Sequence, residues 1–225
     1  MIIGNGLVAS GLKNFDNPDY VILASGVSNS SEVDAIEFQK EEDLVLETIR
    51  QHPTKKIIYF STALIPFVKN SYYRHKRKME LLIQDNAKRY VIYRVPQLVS
   101  NNGNPNNLVN YLKNKIRNEE VVTVYEGVYR SLLDIEDLAK LVDITADKIE
   151  KGFMNISGVE AIKVINICEI IALILDKPLH LQVQSKDEDS GWIGKNSSLI
   201  DSSINLLAID QGDYTKNLIK KNVKK

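Results

Sequence analysis

The sequence predicts an α/β protein built on a doubly wound parallel sheet, with a small C-terminal α/β lobe. Short apolar or β-branched segments alternate with helical patterns over residues 1–129. The first of these strands ends in a glycine-rich turn, and the regular alternation stops near Arg130. Alternating strands and helices imply right-handed crossovers and a parallel sheet covered on both faces.

The strand segments are short and β-branched, whereas the helical segments repeat apolar residues every three or four positions. Strands are predicted at 1–3, 20–25, 56–61, 90–95 and 121–125, and helices at 7–15, 31–51, 71–86 and 108–118. The later part contains helices at 134–149 and 164–175 and strands at 153–157 and 179–184. We expect residues 130–225 to form a lobe packed on residues 1–129 rather than an independent domain, with a solvated lysine-rich helix and tail at its end.

Composition excludes several classes of protein. Basic and acidic residues number 29 each, so no net charge attracts nucleic acid or an anionic membrane. Cys168 is the single cysteine and lies in an apolar helical stretch, so we expect a buried inert thiol and no disulfide. The longest wholly apolar run, 170–175, is too short to span a bilayer, and the N-terminus lacks a basic signal-peptide start. We expect a cytoplasmic protein without a metal site, because the histidines share no ligand spacing.

The glycine turn follows the first strand directly and opens a helix. Gly4, Gly6 and Ala9 match the pattern G-x-G-x-x-G/A, in which small residues let the backbone approach a pyrophosphate. An acidic residue that holds the adenosine ribose is expected about 20 residues later, after the second strand. Asp19 precedes that strand instead, so the pattern indicates a dinucleotide site but does not separate NAD from NADP.

A tyrosine and a lysine four residues apart supply a second indication of chemistry. Tyr72 and Lys76 share one helix face, and Ser61 and Thr62 end the preceding strand. A phenol with a pKa near 10 is a weak base, and a neighbouring ammonium can lower that pKa towards neutrality. A solvated helix face is the alternative interpretation of the pair taken alone.

These motifs, in this order, resemble the extended short-chain dehydrogenase/reductases, the NAD-dependent epimerase/dehydratase family that acts on nucleotide sugars. The resemblance covers about residues 1–180. It is carried by the glycine turn, the strand 21–26, the segment 57–62, Tyr72-x-x-x-Lys76-x-x-x-Glu80, Arg94-x-x-Gln97, the segment 130–139 and Asn155-Ile156-Ser157. The family implies a Rossmann-like domain at 1–129 and a substrate-binding lobe at 130–225.

The resemblance also implies roles for single residues. Tyr72 would be the catalytic acid/base, with Lys76 lowering its pKa and holding the nicotinamide ribose, and with Thr62 or Ser61 as the hydroxyl partner. NAD or NADP would contact Gly4, Asn5, Gly6, Leu7, Val8, Ala24, Ser25, Gly26, Lys76 and Val95. A nucleotide-sugar substrate would contact Gln97, Asn101, Asn102 and Arg130, although a turn-rich loop is the alternative for the asparagines.

The strand at 20–25 arrives too early for the usual doubly wound order. In the order 3-2-1-4-5-6, a strand ending in small residues is the fourth and comes after two further strand-helix units. We therefore predict that the second and third strands are missing and that the first strand is a sheet edge. The adenosine half of the cofactor would then be more exposed, or a partner subunit in a homodimer would cover the edge.

The function predicted is an NAD(P)-dependent ketoreductase or epimerase of a nucleotide sugar in surface polysaccharide biosynthesis. Ala63, Leu64 and Ile65 follow Thr62 where a dehydratase usually adds an acidic pair, which disfavours dehydration. The alternative is a non-catalytic module, such as a redox-sensing regulator or a nucleotide-sugar binder on the same fold.

Overall fold

The computed structural model describes residues 1–65, 70–100, 107–185, 194–209 and 212–224. The strands are β1 (Ile2–Ile3), β2 (Tyr20–Leu23), β3 (Lys56–Thr62), β4 (Tyr90–Val95), β5 (Gln97–Val99), β6 (Val122–Tyr125), β7 (Tyr129–Arg130), β8 (Leu132–Asp134), β9 (Lys151–Asn155), β10 (Ile162–Lys163) and β11 (Leu181–Gln184). The helices are α1 (Leu7–Gly11), α2 (Ala35–Gln51), α3 (Ser71–Asn86), α4 (Leu108–Arg117), α5 (Ile135–Thr145), α6 (Val164–Leu175), α7 (Ser198–Leu206) and α8 (Tyr214–Val223), with a 3-10 turn at Ala146–Lys148.

The central sheet has five strands in the order β1-β2-β3-β4-β9, and every neighbouring pair is parallel. Within the described residues no strand pairs with the outer side of β1, so β1 forms the edge. The first four strands thus match positions 1, 4, 5 and 6 of the doubly wound order. This confirms the predicted loss of the second and third strands.

The period of two along each strand sends side chains into two apolar clusters, one on each face of the sheet. In β2, Tyr20 and Ile22 belong to one cluster, and Val21 and Leu23 belong to the other. The larger cluster includes side chains of α4, α5 and α6, while the smaller one includes side chains of α2 and α3. Both faces of the sheet are therefore covered by helices, as the alternating pattern predicts.

Local signals explain where the helices near the site begin. Asp34 accepts a hydrogen bond from the Ile36 amide and caps α2, so this helix starts later than the predicted residue 31. Asn70 caps α3 in the same way through the Tyr73 amide, and α3 has the predicted bounds. Helix α1 ends at Gly11, so its predicted extension to residue 15 is wrong.

The later part of the chain contributes to the central sheet and to three small two-stranded sheets. Strand β9 completes the main sheet, while β5 pairs with β8, β7 with β10 and β6 with β11. Helix α8 buries Leu218, Ile219 and Val223 in the larger cluster, so it is docked rather than fully solvated as expected. The division at residue 129 stays a prediction, since that cluster joins side chains from both sides of it.

None of the helices in the described ranges is both long enough and apolar enough to cross a lipid bilayer.

Candidate active site

The predicted site residues follow the carboxyl ends of four adjacent parallel strands. The glycine turn follows β1, residues 24–26 follow β2, Ser61 and Thr62 end β3, and Gln97 follows β4. Parallel strands present their carboxyl ends at one edge of the sheet, which is where open α/β sheets bind ligands. The fold therefore places these segments along a single edge.

Gly4 and Gly6 play different parts in the glycine turn. Gly4 has φ of +128°, and a Cβ there would lie 2.5 Å from the Ala24 carbonyl oxygen, so glycine is needed for the turn itself. A Cβ on Gly6 would meet no atom within 4 Å. Asn5 and Gly6 are exposed, whereas Leu7 and Val8 pack partly buried against the core. The turn thus leaves open space over Gly6.

Residues 24–26, which we call the floor segment, end next to the carboxylate of Glu41. Ala24 and Ser25 are half-buried, and Gly26 has φ of +148°. A Cβ on Gly26 would lie 2.3 Å from Oε1 of Glu41. A glycine at this position therefore makes room for Glu41, a residue that the sequence patterns did not single out.

Glu41 lies on α2, is 2% exposed and accepts four hydrogen bonds. Its Oε1 accepts from the Tyr59 hydroxyl at 2.7 Å and from Lys76 Nζ at 2.8 Å. Its Oε2 accepts from the Val27 amide at 2.8 Å and lies 2.9 Å from Nε2 of His75. We call these five residues the Glu41 cluster. A buried carboxylate with this many partners is fully satisfied.

The electrostatics of the Glu41 cluster differ from the expectation for Tyr72. Burial by itself raises the pKa of Glu41, but hydrogen bonds from His75 and Lys76 and the Lys76 charge lower it to about 2. Lys76 Nζ lies 5.9 Å from the Tyr72 ring centroid, and its charge is paired with Glu41. Burial, then Tyr73 and Glu41, raise the pKa of Tyr72. In this state Lys76 does not lower the pKa of Tyr72.

A pocket opens at the same edge of the sheet between β3, β4, β7 and the end of β9. We call it the strand-end pocket. It brings together four predicted site residues, Thr62, Val95, Gln97 and Arg130. Its lining residues are Thr62, Ala63, Leu64, Val95, Pro96, Gln97, Tyr129, Arg130, Ser131, Ser157 and Gly194. Tyr72 and Lys76 do not line it, and they lie instead at the Glu41 cluster.

Unpaired hydroxyls concentrate at this pocket. Ser131 and Ser157 line it, are 3% and 6% exposed, and have no hydrogen-bond partner for their hydroxyls among the described residues. The Ser61 hydroxyl is also buried and unpaired in the same sense, but Ser61 does not line the pocket. An unpaired buried hydroxyl costs about 1–3 kcal/mol. The pocket therefore offers polar groups that a ligand could satisfy.

Arg130 links the pocket to the start of α3. Burial lowers the pKa of the Arg130 guanidinium, an effect that Tyr73 opposes. Burial likewise raises the pKa of Tyr73, and Arg130 opposes that shift. Tyr73 is therefore close enough to Arg130 for an electrostatic interaction, whereas its neighbour Tyr72 lies at the Glu41 cluster. The two tyrosine rings are in edge contact at 5.0 Å.

Two further residues of the resemblance have a structural role. Arg94 donates to both oxygens of Glu80, from Nε at 2.8 Å and from Nη2 at 2.6 Å. Glu80 is fully buried and also accepts from Arg77 at 2.8 Å. This bidentate pair ties α3 to β4 and so fixes the helix that carries Tyr72. Asn101 and Asn102 lie outside the described residues.

Sequence reasoning missed Glu41, although one signal was present. The buried residues of α2 are Glu41, Val45, Thr48 and Ile49, which recur at helical spacing. A carboxylate in line with such an apolar face must find partners inside the protein. The inward face of α2 therefore marked Glu41 as a candidate for a buried charge network.

Comparison with known proteins supports the fold. RMD from Pseudomonas aeruginosa, solved with NADPH, superposes with a TM-score of 0.74 at 15% identity, covering 99% of this chain and 86% of that one. UDP-glucose 4-epimerase from Thermus thermophilus, solved with NAD, gives 0.66 at 16% identity, covering 98% and 83%. A dTDP-glucose 4,6-dehydratase from Bacillus anthracis, also with NAD, gives 0.71 at 12% identity, covering 99% and 78%.

The chain has the fold of these three proteins. Neither protein-family models nor curated protein sequences match it. The similarity therefore confirms the Rossmann-like fold expected from the motifs. The roles of individual residues stay predictions that depend on the geometry of this chain.

Proposed function

We propose that this protein is an NAD(P)-dependent ketoreductase or epimerase of a nucleotide-activated sugar. The observation that carries the proposal is the strand-end pocket, in which Thr62, Gln97 and Arg130 lie with the unpaired hydroxyls of Ser131 and Ser157. The pocket is at the same edge of the sheet as the glycine turn. Such a mixture of hydroxyls, an amide and a guanidinium suits a sugar attached to phosphate. The proteins that share the fold were solved with NAD or NADPH, which supports the cofactor.

The residues present fit a dinucleotide at the glycine turn. The open space over Gly6 lets a pyrophosphate approach the backbone, and the floor segment borders the same edge of the sheet. Asn5, Leu7 and Val8 complete this turn, and Val95 borders the strand-end pocket. When bound, the nicotinamide ring supplies or accepts the hydride.

The chain itself handles binding and the proton. Arg130 would pair with a substrate phosphate, and Gln97 would bond sugar hydroxyls, as would Asn101 and Asn102. Thr62, or its neighbour Ser61, would donate a hydrogen bond to the reacting sugar oxygen. Tyr72 lies outside the strand-end pocket, close to Lys76. As the acid/base it would have to reach that oxygen from the Glu41 cluster to give it a proton or take one from it.

The cellular setting follows from this substrate class. Nucleotide-activated sugars are building blocks of surface glycans, so we place the reaction in cytoplasmic synthesis of a surface polysaccharide. A homodimer in which a second copy covers the edge at β1 is consistent with an edge strand that has no described partner.

A second function has its own supporting observation. Glu41 pairs with Lys76, and the pKa of Tyr72 is raised rather than lowered. A non-catalytic dinucleotide or nucleotide-sugar binding module, such as a redox-sensing regulator, would have no need for an activated tyrosine.

Thermal-shift measurements with NAD(H), NADP(H) and UDP-, dTDP-, CDP- and GDP-sugars test both proposals. A ligand at a hundred times its dissociation constant stabilises the fold by about 2.7 kcal/mol. We expect one dinucleotide and one class of nucleotide sugar to stabilise the protein. Turnover with both then separates an enzyme from a binding module, and net oxidation of the cofactor separates a reductase from an epimerase. If no dinucleotide binds, the oxidoreductase proposal fails.

A further inference from the structure

The Glu41 cluster joins three parts of the molecule that the proposed site needs together. The Val27 amide belongs to the turn after the floor segment, Tyr59 lies in β3, and His75 and Lys76 lie in α3. One carboxylate contacts all of them at 2.7–2.9 Å. The cofactor side of the site and the helix that carries the acid/base tyrosine are therefore connected through Glu41.

Tight packing around Glu41 holds its side chain in place. A Cβ on Gly26 would overlap its Oε1, and Phe38, one turn earlier on α2, stacks on His75 with ring centroids 4.5 Å apart. Lys76 Nζ also donates to the Tyr59 hydroxyl at 3.1 Å. A buried carboxylate held by charge-assisted hydrogen bonds resists displacement, because each lost partner leaves a charge unpaired.

We propose that Glu41 is a positioning residue of the dinucleotide site, which holds the Gly26–Val27 turn and the Lys76 ammonium at a fixed separation. This role rests on the proposed function. Glu41 acts through Lys76 and the turn, so it is not assigned a contact with cofactor or substrate. The role has two separable parts: the reach of the side chain fixes the turn, and its charge balances Lys76 beside Tyr72.

The charged and titratable groups around Tyr72 determine the direction in which the charge of Glu41 shifts the pKa of Tyr72. Lys76 and Tyr73 face it from α3, Glu41 faces it from α2, and Tyr59 faces it from β3. Glu41 is the carboxylate that raises the pKa of Tyr72. Removing its charge leaves the Lys76 ammonium unopposed, so ionisation of Tyr72 should become easier.

Glu41→Gln, Glu41→Asp and the control Glu42→Gln test the proposal. Glu42 is the next residue on α2 and pairs with Lys78, whose side chain is 60% exposed. We expect Glu41→Gln to weaken dinucleotide binding at least tenfold and to move the tyrosine limb of the pH profile of kcat/KM to lower pH. Glu41→Asp should restore the position of that limb through its charge, but not the affinity, because its carboxylate is one methylene shorter. Glu42→Gln should change neither.

The outcomes separate this role from the proposed function. If the wild-type chain binds no dinucleotide, the proposed function fails and this role with it. If the wild type binds and turns over while Glu41→Gln keeps both its affinity and its pH profile, the role of Glu41 alone is overturned. Hydrogen exchange of the Val27 amide adds a readout without cofactor. The exchange rate should increase at least tenfold in Glu41→Gln and stay unchanged in Glu42→Gln. Equal rates in the two variants would contradict the proposed role of Glu41 in holding the Gly26–Val27 turn.

Discussion

Acid should destabilise this protein partly through a single side chain, Glu41. Its pKa falls from an ordinary 4.5 to about 2 in the folded protein. One pKa unit corresponds to about 1.4 kcal/mol, so this shift contributes about 3 kcal/mol to the free energy of unfolding at neutral pH. Because the folded pKa is the lower one, the contribution is present above about pH 5 and is lost as the pH falls towards 2.

Glu41→Gln removes this contribution and leaves Lys76 buried without a counter-charge. Breaking a buried pair on one side costs about 3–5 kcal/mol, so we expect the variant to be less stable than the wild type by that amount at neutral pH. The difference should narrow by about 3 kcal/mol between about pH 5 and about pH 2, since the wild type alone loses the ionised carboxylate. Urea unfolding followed by circular dichroism measures the free energy of unfolding of both proteins over this pH range.

Two further variants make the result decisive. Glu42→Gln, on the same helix but paired with a largely exposed lysine, should differ from the wild type by less than about 1 kcal/mol throughout the pH range. If Glu41→Gln does not fold at neutral pH, the double variant Glu41→Gln with Lys76→Met removes both charges and should recover much of the lost stability. A wild-type to Glu41→Gln difference that does not change with pH would refute the reasoning.

Five other variants, which make up three tests, have defined outcomes. Tyr72→Phe should abolish turnover and leave dinucleotide affinity within about twofold. Tyr73→Phe should retain turnover and weaken nucleotide-sugar binding, because Tyr73 interacts electrostatically with Arg130. Steady-state kinetics of both variants would show the opposite pattern if Tyr73 is the acid/base. Gly26→Ala should lower the free energy of unfolding by at least about 2 kcal/mol, because Gly26 has a positive φ and a Cβ there would overlap Glu41. Gly6→Ala should leave the free energy of unfolding within about 1 kcal/mol of the wild type and reduce dinucleotide affinity. Denaturation measures the stability of both variants, and thermal shift measures their dinucleotide binding. Ser157→Ala should raise the free energy of unfolding by up to about 1 kcal/mol and increase the KM for the sugar, and an unchanged KM would exclude this hydroxyl from the substrate pocket.

The sequence predicts the first four strands of the main sheet because their signals are local. The alternating pattern wrongly places the fifth at 121–125, whereas that strand pairs with β11 and the fifth strand of the sheet is β9. The short distance between the glycine turn and β2 leaves no room for two further strand-helix units, and the structure has β1 at the edge. Helix α3 has the predicted bounds because apolar spacing and an asparagine cap agree. Helix α1 is shorter than predicted, since its periodic pattern continues past the point where the chain turns back towards β2.

The electrostatics of the site could not be predicted from spacing. Tyr72 and Lys76 do share a helix face, but the partner that pairs with Lys76 lies 35 positions earlier, on a different helix. The pKa of a phenol depends on burial and on every nearby charge, which only the packed structure fixes. The strands β5, β7, β8 and β10 were missed because segments of two or three residues leave no periodic pattern, whereas β6 and β11 were predicted.

The open side of β1 has a kinetic consequence. No described strand lies beyond β1, so the adenosine half of a dinucleotide would bury less surface there. The dinucleotide would then dissociate faster. An epimerase returns the hydride to the same sugar and gains from a cofactor that stays bound. A reductase must exchange its oxidised cofactor for a reduced one in every cycle, so rapid release raises its turnover. The truncated sheet is therefore expected to suit a dinucleotide that is exchanged once per catalytic cycle.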